Sequence, residues 1–212
     1  MDDGPSAKLT HLPLPRTYRV SELARDLVRV AGRASALWSI WVGRRLSPAM
    51  REKVIVAVAR VNACPMCEHA HSRMALDAGV TDAELAALEG MARDAIDRRT
   101  WLALAYARER VTADFDGAPD PETKRALDVE LGPQATRDIE DVARVMTVAN
   151  RIANTLKALS DRRRGRPVAE SRLGDELVIN ALFLPGAWLG ILVASARQRR
   201  SPKGLWRERF QS

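Results

Sequence analysis

The chain is expected to be all-α, a helical bundle ahead of a C-terminal apolar helical hairpin, and three features of its 212 residues carry the helical part. Apolar residues recur at steps of three and four through the long segments, prolines follow capping residues at the head of apolar runs, and no strand-turn-strand alternation occurs. Hydrophobic residues make up 46% and charged residues 29%, ordinary globular usage that supports one domain with an appendage.

Residues 1–17 hold Pro5, Pro13 and Pro15 without periodicity and read as an extended arm; His11 within it reads as a surface residue. From Val20 to Arg45, Leu23, Leu27, Val30, Ala34, Leu37 and Trp41 form one stripe, which predicts a single amphipathic helix. Ser47-Pro48 is a cap followed by a first-turn proline, so the apolar run Val54–Ala59 behind it is read as helix rather than as a buried strand. Cys64-Pro65 repeats that signature. Gly79 ends the helix it opens, and Thr81 with Glu84 forms a capping box for the next, with Leu85, Leu88 and Met91 facing inward.

A further helix is expected over Thr100–Thr112, built on Trp101, Leu104 and Val111. A loop over 114–121 leads to a short helix ending at Leu131, which Gly132-Pro133 breaks. Gln134–Leu159 is the longest periodic element, with Ile139, Val142, Met146, Ala149, Ala153 and Leu156 as its seam. The main domain thus spans 18–160, and Arg162–Pro167 reads as a basic linker opening a segment 161–212.

Charge divides unevenly. Residues 161–212 hold 11 Lys/Arg against 5 Asp/Glu, whereas 1–160 hold 23 against 22. The basic tail lacks interleaved aromatics and the chain has no helix-turn-helix or RNA-binding signature, so nucleic acid is not expected as a partner. Leu177–Ala196 carries only Asn180 and Ser195 as polar side chains, nominally long enough to cross a bilayer. Pro185-Gly186 splits it, and six Lys/Arg lie within about twenty residues on each flank, so charge gives no orientation. A helical hairpin with both basic ends on one side fits better, docking on its own domain, on a neighbouring subunit, or peripherally on a membrane.

Both cysteines and two of the three histidines lie between residues 64 and 71. The acidic N-terminus has no apolar signal segment, which makes the cytoplasm the expected compartment. There a close cysteine pair points to redox or metal chemistry rather than a structural staple. Cys67 and His71, four apart on one helix, share a face, and the dipole of a helix N-terminus stabilises a thiolate in the first turn. Zinc held by Cys64, Cys67, His69 and His71 is the competing reading, but on one helix His69 and His71 point apart by roughly 200°. A thioredoxin-like fold would need a sheet. Glu52 taken alone is a first-turn acid that would favour the helix dipole.

The spacing Glu52, Cys64, Cys67, His71 resembles the active-site signature of the alkylhydroperoxidase D branch of the carboxymuconolactone decarboxylase family. Leu46-Ser47-Pro48, Ala78–Thr81 and Asn150-Arg151 are similar to that family as well, so the resemblance spans roughly 20–159. It implies an all-helical subunit, assembled as a homo-oligomer and commonly a trimer, that reduces organic hydroperoxides. Cys67 would be the peroxidatic thiol, Cys64 the resolving one, and Glu52 with His71 the proton relay. The implied reductant is a dithiol such as a lipoylated protein, and no cofactor or metal is implied. Met66 stands where the best-studied members have a histidine, with His69 displaced to the other side of the pair. The decarboxylase branch is an alternative enzyme reading that does not depend on a cysteine pair. A non-catalytic helical oligomer sensing oxidants through the cysteines is the third.

Overall fold

The structure, a computed structural model, describes residues 14–91 and 93–198, with the backbone alone for 187–198. His11, the arm before residue 14 and the basic tail from 199 onward lie outside the described residues. Residues 14–19 run to α1 (Val20–Ala31) without regular structure, tied down where the Arg16 N–H donates to the Asn62 carbonyl. α2 (Ala34–Trp41), α3 (Pro48–Val61), α4 (Pro65–Asp77), α5 (Asp82–Gly90) and α6 (Arg98–Thr112) follow. α7 (Pro121–Leu131), α8 (Pro133–Arg163) and α9 (Leu173–Gln198) complete the described elements, which include no strand.

α3 is the buried axis. Every residue from Glu52 to Ala59 is buried, and the helix packs against α4, α6 and α8. This explains why its apolar run lacks a period: a helix covered on all sides has no solvent face to alternate with. Ile40, Leu104, Leu127 and Ile139 close the main core around it, all with no exposure.

The single helix expected over Val20–Arg45 is instead two. Gly32 and Arg33 leave the regular helical ladder, with the Arg33 N–H reaching back only to the Val30 carbonyl, and α2 starts again at Ala34. Glycine is a poor helix former, and the break lets Arg33 Nε donate to buried Asp141 at 2.8 Å on α8. Just after α2, Arg45 grips Asp138 on α8 through two bonds of 2.6 Å. Tertiary pairing to α8 prevails over an unbroken stripe.

The hairpin expected within Leu177–Ala196 is also corrected: Leu173–Gln198 is one helix running through Pro185. Proline's fixed φ suits helical geometry, so within a helix its cost is a lost N–H bond and steric crowding of the preceding turn. Among the described residues, no helix is long and apolar enough to cross a membrane. α8 reaches Arg163, past the expected start of the linker, because Arg162 is held by Glu176 of α9.

Candidate functional site

Two capped helices in antiparallel contact build the site. Ser47 caps α3 by accepting the Met50 N–H, Pro48 follows at the first position, and Glu52 lies one turn further on. After α3, Asn62 and Ala63 turn the chain, Ala63 at φ 48°, so that Cys64 becomes the N-cap of α4. The Cys64 N–H donates to the Ala59 carbonyl at 2.9 Å, anchoring the head of α4 on the tail of α3. Pro65 occupies the first turn as its sequence position predicts.

Cys64 and Cys67 are joined in a disulfide, with Cα atoms 5.3 Å apart. Cys64 is buried, whereas Cys67 is partly exposed, the asymmetry that distinguishes an accessible sulfur from a sheltered one. Among the described residues no group of three His, Cys, Asp or Glu side chains is gathered as a metal site would require.

Glu52 and His71, nineteen residues apart, meet across the α3–α4 interface, with His71 Nδ1 2.7 Å from Glu52 Oε2. A carboxylate can only accept, so the imidazole carries its proton on Nδ1 and leaves Nε2 as the basic nitrogen. The other carboxylate oxygen, Oε1, accepts from Arg51 Nε at 3.2 Å and Nη2 at 3.1 Å. The Arg51 guanidinium lies 5.4 Å from the centre of the Trp41 ring, a cation–π contact that fixes it from behind. Burial pushes the Glu52 carboxyl up, but the His71 hydrogen bond and the Arg51 charge outweigh it and hold the group below its ordinary range.

The four expected residues therefore form two joined pairs, a disulfide and a carboxylate–imidazole couple, on the same two helices. His69 faces solvent on α4, away from that couple. Arg151 takes up different partners: Glu22 at 2.7 Å, the Thr17 carbonyl, and the Tyr18 ring 4.0 Å beneath it. Asn150 is fully buried, with neither side-chain polar atom hydrogen-bonded. Met66 packs on a second cluster formed by Tyr18, Leu23, Val148, Leu156 and Ile179.

Three contributors carry no sequence signal of their own. Arg51 is a sequence neighbour of Glu52, and adjacent helical residues ordinarily diverge. Asn62 is buried in the turn before Cys64, where Asn154 donates to its carbonyl at 2.8 Å and its own amide reaches Thr147 at 3.3 Å. Arg60, from the last turn of α3, pairs with Glu68 at 2.6 Å beside Cys67. An open pocket of about 600 Å³ lies against the first turns of α3, lined by Trp41, Arg44, Arg51, Glu52 and Met74.

Residues 30–109 match the sequence model described as the carboxymuconolactone decarboxylase family, which covers the alkylhydroperoxidase D-like branch. The matched stretch contains Glu52, Cys64, Cys67 and His71 and ends before Asn150-Arg151. No curated protein and no solved structure matches the chain.

Proposed function

We propose, from a chain whose residues 30–109 match the carboxymuconolactone decarboxylase family, that this protein is a dithiol-dependent peroxidase acting on organic hydroperoxides. The observation that carries the reading is a partly exposed Cys67 paired with Cys64, one helical turn from a His71 ring oriented by buried Glu52.

In the reduced protein the Cys67 thiolate attacks the outer oxygen of ROOH. The O–O bond breaks, Cys67 becomes a sulfenic acid, and the departing alkoxide takes a proton to leave as ROH. The Cys64 thiol then attacks the sulfenic sulfur, releasing water and forming the Cys64–Cys67 disulfide. A dithiol reductant, such as a lipoylated protein, returns both cysteines to thiols and leaves as its own disulfide. His71 Nε2 takes the Cys67 proton and supplies it to the leaving oxygen, while Glu52 holds the imidazole in the required tautomer. The reading includes assembly into a homo-oligomer, for which light scattering at several concentrations is the measurement.

The test is peroxide consumption with an organic hydroperoxide and a dithiol. Native protein turns over, Cys67→Ser is inactive, and Cys64→Ser performs one turnover and stops as a sulfenic acid detectable by mass. Absence of consumption by the native protein, or a Cys67→Ser variant as active as the parent, would overturn the proposal.

A further inference from the structure

α9 has its polarity reversed. Its inward arc carries Asp175, Glu176 and Asn180 together with Ile179 and Phe183. The polar groups there are satisfied: Glu176 accepts two bonds from Arg162, Asp175 accepts the Val20 N–H at 3.0 Å, and Asn180 donates to the Glu176 carbonyl at 2.8 Å. Every exposed residue from Leu173 to Gly186 is apolar, with Leu173, Leu177, Val178, Ala181, Leu182 and Pro185 forming the outward arc. Leu182 is 65% exposed and Leu177 49%. A soluble helix normally turns such a stripe inward, so a contiguous outward one marks a docking surface.

The charge around the arc identifies what it meets. Arg163, Arg164, Arg166 and Arg172, all exposed, precede it, and the sequence beyond it adds Arg197, Arg199, Arg200, Lys203, Arg207 and Arg209 against the single acid Glu208. A second copy seated on this face would bring two such basic segments together, which repel. An anionic lipid surface turns the same charge into attraction, while acyl chains receive the leucines. Since no described helix is suited to crossing a bilayer, the contact is peripheral. We propose that the outward face of α9 between Leu173 and Pro185 docks on an anionic membrane surface, with Arg163, Arg164, Arg166 and Arg172 pairing with lipid headgroup phosphates.

The experiment is flotation of the full-length protein with vesicles of phosphatidylcholine alone or mixed with phosphatidylglycerol, at low and high salt. The protein is expected to float with the anionic vesicles only and to be released by salt. Leu177→Glu with Leu182→Glu abolishes flotation at unchanged helical circular dichroism, and changing Arg163, Arg164 and Arg166 to Gln weakens binding about fivefold per arginine. Failure of the native protein to float with anionic vesicles overturns the proposal, as does flotation that survives the double glutamate variant. So does a fall in molar mass in that variant alongside no vesicle binding by the parent, which would assign the face to a second copy. None of these readouts depends on peroxide turnover.

Discussion

Glu52 shows how one buried acid is given two tasks by its neighbours. A carboxylate with 2% exposure would by desolvation prefer its neutral form, and only the His71 contact on one oxygen and Arg51 on the other keep it ionised. Replacing Glu52 by Gln removes the negative charge that holds His71 and puts an NH2 donor in place of one accepting oxygen, so the proposed peroxide turnover should fall by about 10² or more at neutral pH, read from initial rates. The stability linkage has a definite sign. Because the folded-state pKa is depressed, Glu52 contributes stability above the ordinary carboxylate range, near 4.3, and that contribution disappears as pH falls through the folded value. Arg51→Met weakens the depression, so thermal unfolding followed against pH should show its acid loss beginning at higher pH than in the parent; an unmoved acid limb would show that His71 alone holds the carboxylate. Helical spacing places Cys67 with His71 before folding, whereas Glu52 stands out in the sequence only through the resemblance and its spacing from Cys64; that the turn at Asn62 and Ala63 brings it back to His71 is visible only in the fold. Arg51 is not legible in the sequence, because its grip on Glu52 depends on Trp41 fixing its guanidinium from a different helix.

At the scale of elements, the ends of helices are where sequence and structure agree most closely. Ser47-Pro48, Cys64-Pro65 and Thr81 with Glu84 each open the helix that capping chemistry assigns them. The Glu84 carboxyl is drawn down to about 2 by Lys53, 2.6 Å away, and by the Thr81 backbone, so the box doubles as a tie between α5 and α3. Gly132 is the strictest joint. It is the only residue between α7 and α8, and its φ of 86° with ψ of 153° lies in a region that is essentially glycine-only. Gly132→Ala meets no neighbouring atom within 4 Å, so its cost is backbone strain alone, about 1–3 kcal/mol, measurable as a lowered urea midpoint with unchanged slope. Helix interiors were less legible. Gly32 breaks the first stripe because Arg33 and Arg45 have acids waiting on α8, whereas Pro185 lies inside a helix that continues through it. In the first stripe, partners distant in sequence decide the outcome; at Pro185 the local break signal is overridden by a continuous helix.

Across the whole molecule, α8 joins the half that carries the candidate site to the appendage, packing against both α3 and α9. The link to α9 is concentrated in Arg162, which makes bonds of 2.8 and 2.7 Å to a Glu176 carboxylate with no exposure, and in Ile179 within the second apolar cluster. Arg162 holds the Glu176 carboxyl below its ordinary range, so acid should loosen this joint. Breaking a fully buried pair costs about 3–5 kcal/mol, but the Arg162 side chain is 28% exposed and water can take over part of its charge, so the loss in Glu176→Gln belongs at or below the lower end. That is enough to free α9 without unfolding a core centred on α3, whose contacts with α4 and α6 do not involve Glu176. Hydrogen exchange should therefore accelerate across Leu173–Asn180 in Glu176→Gln while amides of α3 keep their protection, and limited proteolysis should release the C-terminal segment from a stable remainder. Equal acceleration in both helices would mean that α9 is part of one cooperative unit with the core. In that case the appendage would support the Cys64–Cys67 site directly, through the cluster that Met66 and Ile179 share.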